Sequence, residues 1–323
     1  MDNPKPQRVL LLGAKGYIGS ALRDQLIGRG HTVLAPGSRD LDARSFDSFL
    51  SWLREFKPAF VFNSAGYTGK PNVDACELDR AGTFTGNVLL AQTVAQACAA
   101  LDIPWGHVSS GCIYSGARIR HDDGSVQSAK DLSQPDLRTL ATQHPDRIIG
   151  FTEDDTPNFS FRDGPCSFYS GTKALGEEAI QHCGKGYIWR LRIPFDHING
   201  PRNYLSKIQL YPRVYDNFNS ISHRGDFARA CIESWERGIP FGTYNVTNPG
   251  FISTRDVVLL IQKHLAPTRD FQFWADEEEF YRIAAKTPRS NCVLDPSKLL
   301  RTGINLPHVL DALTQSLSNW QAR

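Results

Sequence analysis

The sequence is poor in several things, and each scarcity excludes something. No apolar run reaches the ~20 residues that would cross a bilayer; the longest, near Val9–Leu12 and Ala59–Phe62, have strand length. No membrane association is expected. The opening Met1-Asp-Asn-Pro-Lys-Pro lacks the apolar core of a secretory signal, so the expected location is the cytoplasm. Excess charge is missing too. The chain sets 36 Lys and Arg against 34 Asp and Glu, a net of +2, which leaves no basic field for nucleic acid or an anionic membrane. The seven cysteines are an odd count and contain no C-x-x-C pair, so neither a disulfide framework nor a zinc knot is expected. The nine histidines show no H-x-x-x-H spacing, and no metal is expected. Internal repeats and low-complexity tracts are also lacking. What remains is a chain of 323 residues, long enough for two domains and for a sizeable core.

The first 110 residues alternate between strand and helix patterns. Strands are predicted at Arg8–Leu12, Thr32–Ala35, Ala59–Asn63 and Pro104–Val108. Helices are predicted at Tyr17–Gly28, Ser45–Phe56 and Arg80–Leu101. Continuous apolar strands separated by helices mean a parallel sheet covered on both faces. Ser115–Pro165 then turns polar, with one short helix near Pro135–Thr142. A connector that long is a lid or a small subdomain. Periodicity returns in a helix at Ser167–His182 and a strand at Tyr187–Ile193. Further helices are expected near Phe227–Arg237, Ser253–Leu265 and Leu306–Trp320. The fold class is therefore α/β, a Rossmann-type doubly wound parallel sheet with a smaller C-terminal substrate-binding lobe. The sheet domain is assigned to residues 1–193, with 115–165 inserted and roughly 222–242 returning to it; the lobe takes 194–221 and 243–323.

Gly13-Ala-Lys15-Gly16-Tyr17-Ile18-Gly19 joins an apolar strand to an amphipathic helix. Glycines let the backbone turn tightly and approach a pyrophosphate, and the helix N-terminus offers N–H groups to the anion. This predicts a dinucleotide site. An acid at the end of the second strand would bind a free ribose 2′-hydroxyl. Here the chain reads Ala35-Pro-Gly-Ser38-Arg39, with no acid until Asp40. Ser38 and Arg39, aided by Lys15, suit a 2′-phosphate, so NADP(H) is favoured over NAD(H). Asn63, Ala65, Gly66 and Arg192 are assigned to the same cofactor.

Tyr169-Ser-Gly-Thr-Lys173 places a tyrosine and a lysine four apart on one helical face. A nearby ammonium would lower the phenol's pKa and make it a proton donor or acceptor near neutrality. Ser110 supplies a hydroxyl at the carboxyl edge of the sheet, where open α/β sheets bind ligands.

These residues together resemble the extended short-chain dehydrogenase/reductase family. Longer strings resemble its branch acting on nucleotide-linked 4-keto-6-deoxy sugars, the nucleotide-rhamnose synthases (bifunctional 3,5-epimerase/4-reductases) and, more distantly, the dTDP-4-dehydrorhamnose reductases. They are Ala65–Glu77, Ser110–Tyr114, Glu153–Phe159, Gly200–Lys207, Tyr244–Gly250 and Pro288–Asp295. The resemblance implies hydride delivery to C4 of a keto sugar. It gives Tyr169 the proton transfer, Lys173 the cofactor ribose and the tuning of Tyr169, with both residues at the cofactor, and Ser110 the carbonyl oxygen. It further implies that Cys112 and Lys207 are the acid and base of epimerisation. A nucleoside-diphosphate sugar would meet Arg202, Asn203 and Arg289, and the sugar Thr68, Lys70 and Asn72. A homodimer is expected by the same analogy.

The match departs in three places. The connector Ser115–Phe159 is longer than in the plant-type enzymes, Gly171 and Gly176 interrupt the catalytic helix, and Ser222-His223-Arg-Gly-Asp226 differs from the family string. Two other readings stay open: a 4-ketoreductase without epimerase activity, and a cofactor-binding regulatory subunit.

Overall fold

Six strands form the central sheet of this computed structural model, which describes residues 5–322. They are β1 (Arg8–Leu12), β2 (Thr32–Leu34), β3 (Phe60–Asn63), β4 (Trp105–Ser110), β5 (Gly186–Leu191) and β6 (Gly242–Asn245), in the order β6-β5-β4-β3-β1-β2. Strand β1 pairs in parallel with both β2 and β3, and β3 in parallel with β4. The chain thus leaves β1 in one direction and resumes at β3 in the other. The carboxyl ends of β1 and β3 flank the crevice where such sheets take ligands.

The chain divides into two units. Unit 1 comprises residues 1–110, 167–190 and 228–244; unit 2 comprises 111–166, 191–227 and 245–323. The connector thus groups with unit 2. In unit 1, helices α1 (Tyr17–Gly28), α2 (Phe46–Phe56), α3 (Leu90–Ala100) and α4 (Phe168–Ile180) accompany the sheet. Helix α2 starts cleanly because the Ser45 hydroxyl accepts from the Ser48 N–H. It buries Phe49 and Leu53 in one core with Leu10, Val61, Val94 and Trp105. Phe62, Trp189 and Tyr187 stack in a row, with centroids 5.9 and 5.5 Å apart. The long helix predicted at Arg80–Leu101 is interrupted. An α-turn at Arg80–Phe84 passes through a π-turn at Thr85–Leu89 before α3 begins.

Unit 2 is richer in structure than its polar sequence suggests. The connector forms a three-stranded antiparallel sheet from Ala117–Arg120, Val126–Ala129 and Ile148–Ile149, beside the helix Pro135–Gln143. Ile119, Leu132, Ala141 and Ile148 form its core with Phe218 and Val293. A second cluster unites Phe195, Leu205, Ile208, Val257, Ile261, Val309 and Leu313. Among the described residues, no helix is long and apolar enough to cross a membrane.

Candidate active site

The glycine turn is built by close approach. Gly13 has φ 76°, and a Cβ there would lie 2.7 Å from the Ala65 nitrogen. A Cβ on Gly19 would lie 2.1 Å from the Gly13 carbonyl oxygen. Both positions therefore exclude side chains. The Gly16 N–H donates to the Gly13 carbonyl at 2.8 Å. Gly16 precedes α1 with no side-chain cap, and no acid stands in the first turn. Gly13 and Gly16 are exposed. An exposed, uncapped helix start of this kind fits a dinucleotide pyrophosphate. Lys15 is exposed and Tyr17 half-buried. Ile18 is a core side chain, 8% exposed, so it offers a ligand only its backbone.

Ser38 and Arg39 are exposed after β2. Asp40 closes the turn between them and the strand: its carboxylate accepts from the Gly37 N–H at 3.0 Å. That acid is spent on the loop.

After β3, the Asn63 Oδ1 accepts from the Ala65 N–H at 3.1 Å. Asn87, in the π-turn, accepts from the Tyr67 N–H at 2.9 Å and donates to the Tyr67 carbonyl at 3.0 Å and to Thr172 Oγ1 at 3.2 Å. The loop carrying Ala65 and Gly66 is thereby tied to α4. Thr68, Lys70 and Asn72 follow, all exposed; Asn72 uses its Oδ1 on the Asp74 N–H at 2.8 Å.

Helix α4 opens with the Ser167 hydroxyl accepting from the Ser170 N–H at 3.1 Å. Glu77 accepts from the Phe168 N–H at 2.7 Å. Tyr169 sits half-buried in the first turn, and Lys173 one turn later is 5% exposed. The Lys173 ammonium donates to the Val108 carbonyl at 3.1 Å. It is therefore pinned to β4, whose last residue is the half-buried Ser110. Lys173 Nζ also lies 3.3 Å from His107 Nε2. Burial, and secondly Lys173, hold the His107 pKa well below the ordinary histidine value. Behind this group, Glu177 receives the Ser109 hydroxyl and pairs with Arg190 at 2.9 Å. Sequence reasoning missed His107, Glu177 and Arg190. The available signal was polar residues inside otherwise apolar strands.

The remaining candidates belong to unit 2. Cys112 is buried in the 3-10 turn Gly111–Ile113. Lys207 is half-buried in the helix Tyr204–Leu210; burial, then the Arg202 charge, push its pKa down. Arg202 is half-buried. Arg289 turns its guanidinium to Thr287 Oγ1 at 2.9 Å. Asn203 and Arg192 also have structural partners within unit 2. Asn203 is fully buried and caps its helix, accepting from the Leu205 N–H at 3.0 Å and donating to the Asp196 and Ile198 carbonyls at 2.7 and 2.8 Å. Its amide is consumed by backbone. Arg192 is buried, and it donates to Asn219 Oδ1 at 2.7 Å and to the Ser290 carbonyl. It lies in unit 2, and its buried Nε has no hydrogen-bond partner among the described residues. His223 likewise has a local task, accepting from the Asp226 N–H at 3.3 Å.

Contrary to the spacing argument, Asp196, His197 and His223 bring three ligand-type atoms within 4.8 Å of one another. Asp196 is already paired with Arg224 at 2.6 Å. A groove of about 980 Å³ in unit 2, walled by Ile148, Phe251, Leu260 and Val293, contains none of the candidate residues.

The chain is 32% identical over 318 residues to a trifunctional UDP-glucose 4,6-dehydratase/UDP-4-keto-6-deoxy-D-glucose 3,5-epimerase/UDP-4-keto-L-rhamnose-reductase of Arabidopsis thaliana, covering 97% of this chain but 42% of that protein. It is 32% identical over 291 residues to a bifunctional dTDP-4-dehydrorhamnose 3,5-epimerase/dTDP-4-dehydrorhamnose reductase of the same plant, covering 90% and 85% of the two chains. The crystal structure of a UDP-rhamnose synthase from Acanthamoeba polyphaga mimivirus has the same fold, with a TM-score of 0.80 at 24% identity, covering 97% and 99%. The RmlD substrate binding domain matches residues 7–322, and the chain belongs to that family.

Proposed function

We propose that this protein is an NADPH-dependent reductase of nucleoside-diphospho-4-keto-6-deoxyhexoses, with an added 3,5-epimerase activity that yields a rhamnose-like 6-deoxy-L-sugar nucleotide. One observation carries the reductase: Lys173 Nζ is held at 3.1 Å by the Val108 carbonyl, which sets the Tyr169/Lys173 turn against the strand ending in Ser110. The names of the relatives carry the sugar class. The exposed glycine turn, uncapped α1, Ser38 and Arg39 support NADP(H).

The bound cofactor would supply a hydride to C4 of the sugar. The Ser110 hydroxyl donates to the C4 oxygen and orients the carbonyl. As the alkoxide forms, the Tyr169 phenol gives it a proton. Lys173 steadies the phenolate left behind and holds the cofactor ribose. Epimerisation requires a base to take a proton beside the ketone and an acid to return one to the other face. Lys207 and Cys112 are proposed for these two tasks. The Lys207 pKa is pushed down by burial and then by the Arg202 charge, the direction that favours a base. Arg202 and Arg289 are proposed to bind the diphosphate.

The test mixes purified protein with NADPH and UDP- or dTDP-4-keto-6-deoxyglucose. NADPH oxidation is expected; none with either sugar would sink the reductase. In D2O the product should carry deuterium at C5 and C3. A reduced product labelled at neither carbon removes the epimerase and leaves the 4-ketoreductase.

A further inference from the structure

Two of the seven cysteines come together in unit 2. Cys112 occupies the 3-10 turn Gly111–Ile113, and Cys292 bridges to Gly116 just beyond that turn. The pairing is firm. The Gly116 N–H donates to the Asn291 carbonyl at 2.6 Å, and the Val293 N–H donates to the Gly116 carbonyl at 3.0 Å. The Ser290 hydroxyl donates to the Tyr114 carbonyl. The Cys292 thiol itself donates to the Gly111 carbonyl at 3.3 Å. Its sulfur therefore stands against the peptide bond that begins Cys112. Both thiols are reduced. They differ in access to solvent, Cys112 being 7% exposed and Cys292 0%.

We propose that Cys112 and Cys292 are a peroxide-sensitive pair that closes to a disulfide and thereby stops epimerisation while sparing keto reduction. The effect on epimerisation rests on the reading of Cys112 as its acid; the bond itself does not. Hydrogen peroxide meets Cys112 first, because that thiol has the solvent access. The Cys112 thiolate attacks a peroxide oxygen. An S–O bond forms, the O–O bond breaks, and the departing hydroxide takes a proton and leaves as water. The Cys292 thiolate then attacks the sulfenic sulfur. The S–S bond forms, the S–O bond breaks, and a second water leaves. Two thiols and one peroxide thus give one disulfide and two waters, with two electrons passing from sulfur to oxygen. A dithiol reductant reverses the change by exchange.

The surroundings favour the second step. Burial holds the Cys292 pKa up, and the neighbouring Cys112 adds to this, but the Arg192 guanidinium pulls it back down. Arg192 is anchored there by donating to the Ser290 carbonyl. The other thiols act as internal controls. Burial pushes the pKa of Cys98 and Cys231 up, away from thiolate. Cys166 and Cys183 are the more exposed pair, so oxidation that merely follows exposure would strike them first. Ser110, Tyr169 and Lys173 contain no sulfur, and their chemistry survives closure of the pair.

The test treats reduced protein with hydrogen peroxide, alkylates the remaining thiols and maps peptides by mass spectrometry without reductant. The Cys112 and Cys292 peptides should be joined, and dithiothreitol should part them. In D2O, deuterium incorporation into the keto sugar should be lost on oxidation and return with dithiothreitol. Reduction of a ketone supplied already epimerised should persist throughout. Cys292→Ser keeps a hydroxyl for the Gly111 carbonyl, and it should exchange deuterium like wild type before oxidation. After peroxide its loss should not return with dithiothreitol, because a sulfenic acid without a resolving thiol goes on to the sulfinic acid. Three results overturn the proposal: Cys112 oxidised in wild type with no joined peptide, Cys112 joined to any other cysteine, or a Cys292→Ser protein that recovers as wild type does. Should that variant not fold, the wild-type peptide map decides alone. The map needs no substrate. A protein that forms the bond but exchanges no deuterium before oxidation refutes the epimerase reading and leaves the pair standing.

Discussion

Glu177 and Arg190 form a buried ion pair, 2.9 Å apart with side chains 9% and 6% exposed. The guanidinium makes contacts to both carboxylate oxygens, and Ser109 adds its hydroxyl. Such a pair gives little net stability against a well-packed apolar alternative, but losing one partner leaves a charge stranded. Glu177→Gln should therefore destabilise the fold by about 3–5 kcal/mol. The double variant Glu177→Leu/Arg190→Met should cost less than Glu177→Gln alone. Urea unfolding of the three proteins makes the comparison. Equal losses in the two variants would remove the stranded-charge explanation.

The contact between α4 and the π-turn explains a glycine that the sequence left without a reason. A Cβ on Gly176 would lie 2.3 Å from the Asn87 carbonyl oxygen, a backbone atom with little room to move. The Gly176→Ala variant should lose about 1–3 kcal/mol through forced separation of the two helices. It should also loosen the Asn87 clasp on the Tyr67 loop. A thermal melt with parallel NADPH titration reads both. A variant as stable as the parent, despite the helix propensity it gains, would mean that the helices part without strain.

Legibility in the sequence followed periodicity. The strands Arg8–Leu12 and Ala59–Asn63 are continuous apolar runs, and the structure moves their ends by no more than a residue. Tyr169 and Lys173 were legible because helical spacing alone puts them on one face. The connector was not, since two of its three strands interleave polar residues and its core-forming side chains, among them Ala117, Ile119, Leu132, Ala141 and Ile148, are scattered without a period. Short strands of that kind are specified by partners distant in sequence, such as the Cys292 and Leu294 bridges to Gly116 and Phe151. Asn203 and Arg192 carry an ambiguity the sequence could not show: backbone groups take both ends of the Asn203 amide, while Asn219 and the Ser290 carbonyl take one nitrogen of the Arg192 guanidinium. His107 went unseen because its partner Asn63 lies 44 residues away.

Acid should weaken the protein through His107. Its folded pKa is well below the ordinary value near 6.5, because burial penalises the charged ring. In the unfolded chain it titrates normally. Above pH ~6.5 neither state binds the proton, and the His107 contribution is fully present. As pH falls below that, the unfolded state gains a proton that the folded state refuses, so stability drops by up to about 1.4 kcal/mol per pH unit until the folded pKa is reached. The His107→Gln variant lacks this term. Its stability relative to wild type should therefore improve steadily as pH falls from ~6.5. Urea melts across a pH series give the two curves. Parallel curves would show that His107 takes up its proton as readily in the fold as in the unfolded chain, so that burial does not penalise it.

The turn after β2 offers the sharpest test of cofactor choice. Asp40 already accepts from the Gly37 N–H within its own loop. Arg39 and Ser38 are exposed beside it, with no acid among the residues from Thr32 to Arg39. An arginine there recognises a 2′-phosphate by charge and a forked pair of hydrogen bonds, each charge-assisted bond being worth about 1.5–3 kcal/mol. Removing it as Arg39→Ala should raise KM for NADPH by about 10- to 100-fold, the ratio that such energies imply, while leaving KM for NADH nearly unchanged. Placing the acid directly, as Ser38→Asp/Arg39→Ala, should lower KM for NADH, because a carboxylate accepts from the free 2′-hydroxyl and repels the phosphate. Steady-state kinetics with both cofactors at fixed keto sugar decide it. An Arg39→Ala enzyme that keeps its NADPH affinity would move recognition of the phosphate to Lys15 or to the backbone of the turn. An enzyme that prefers NADH from the start would show that the absence of an acid after β2 does not set the choice here.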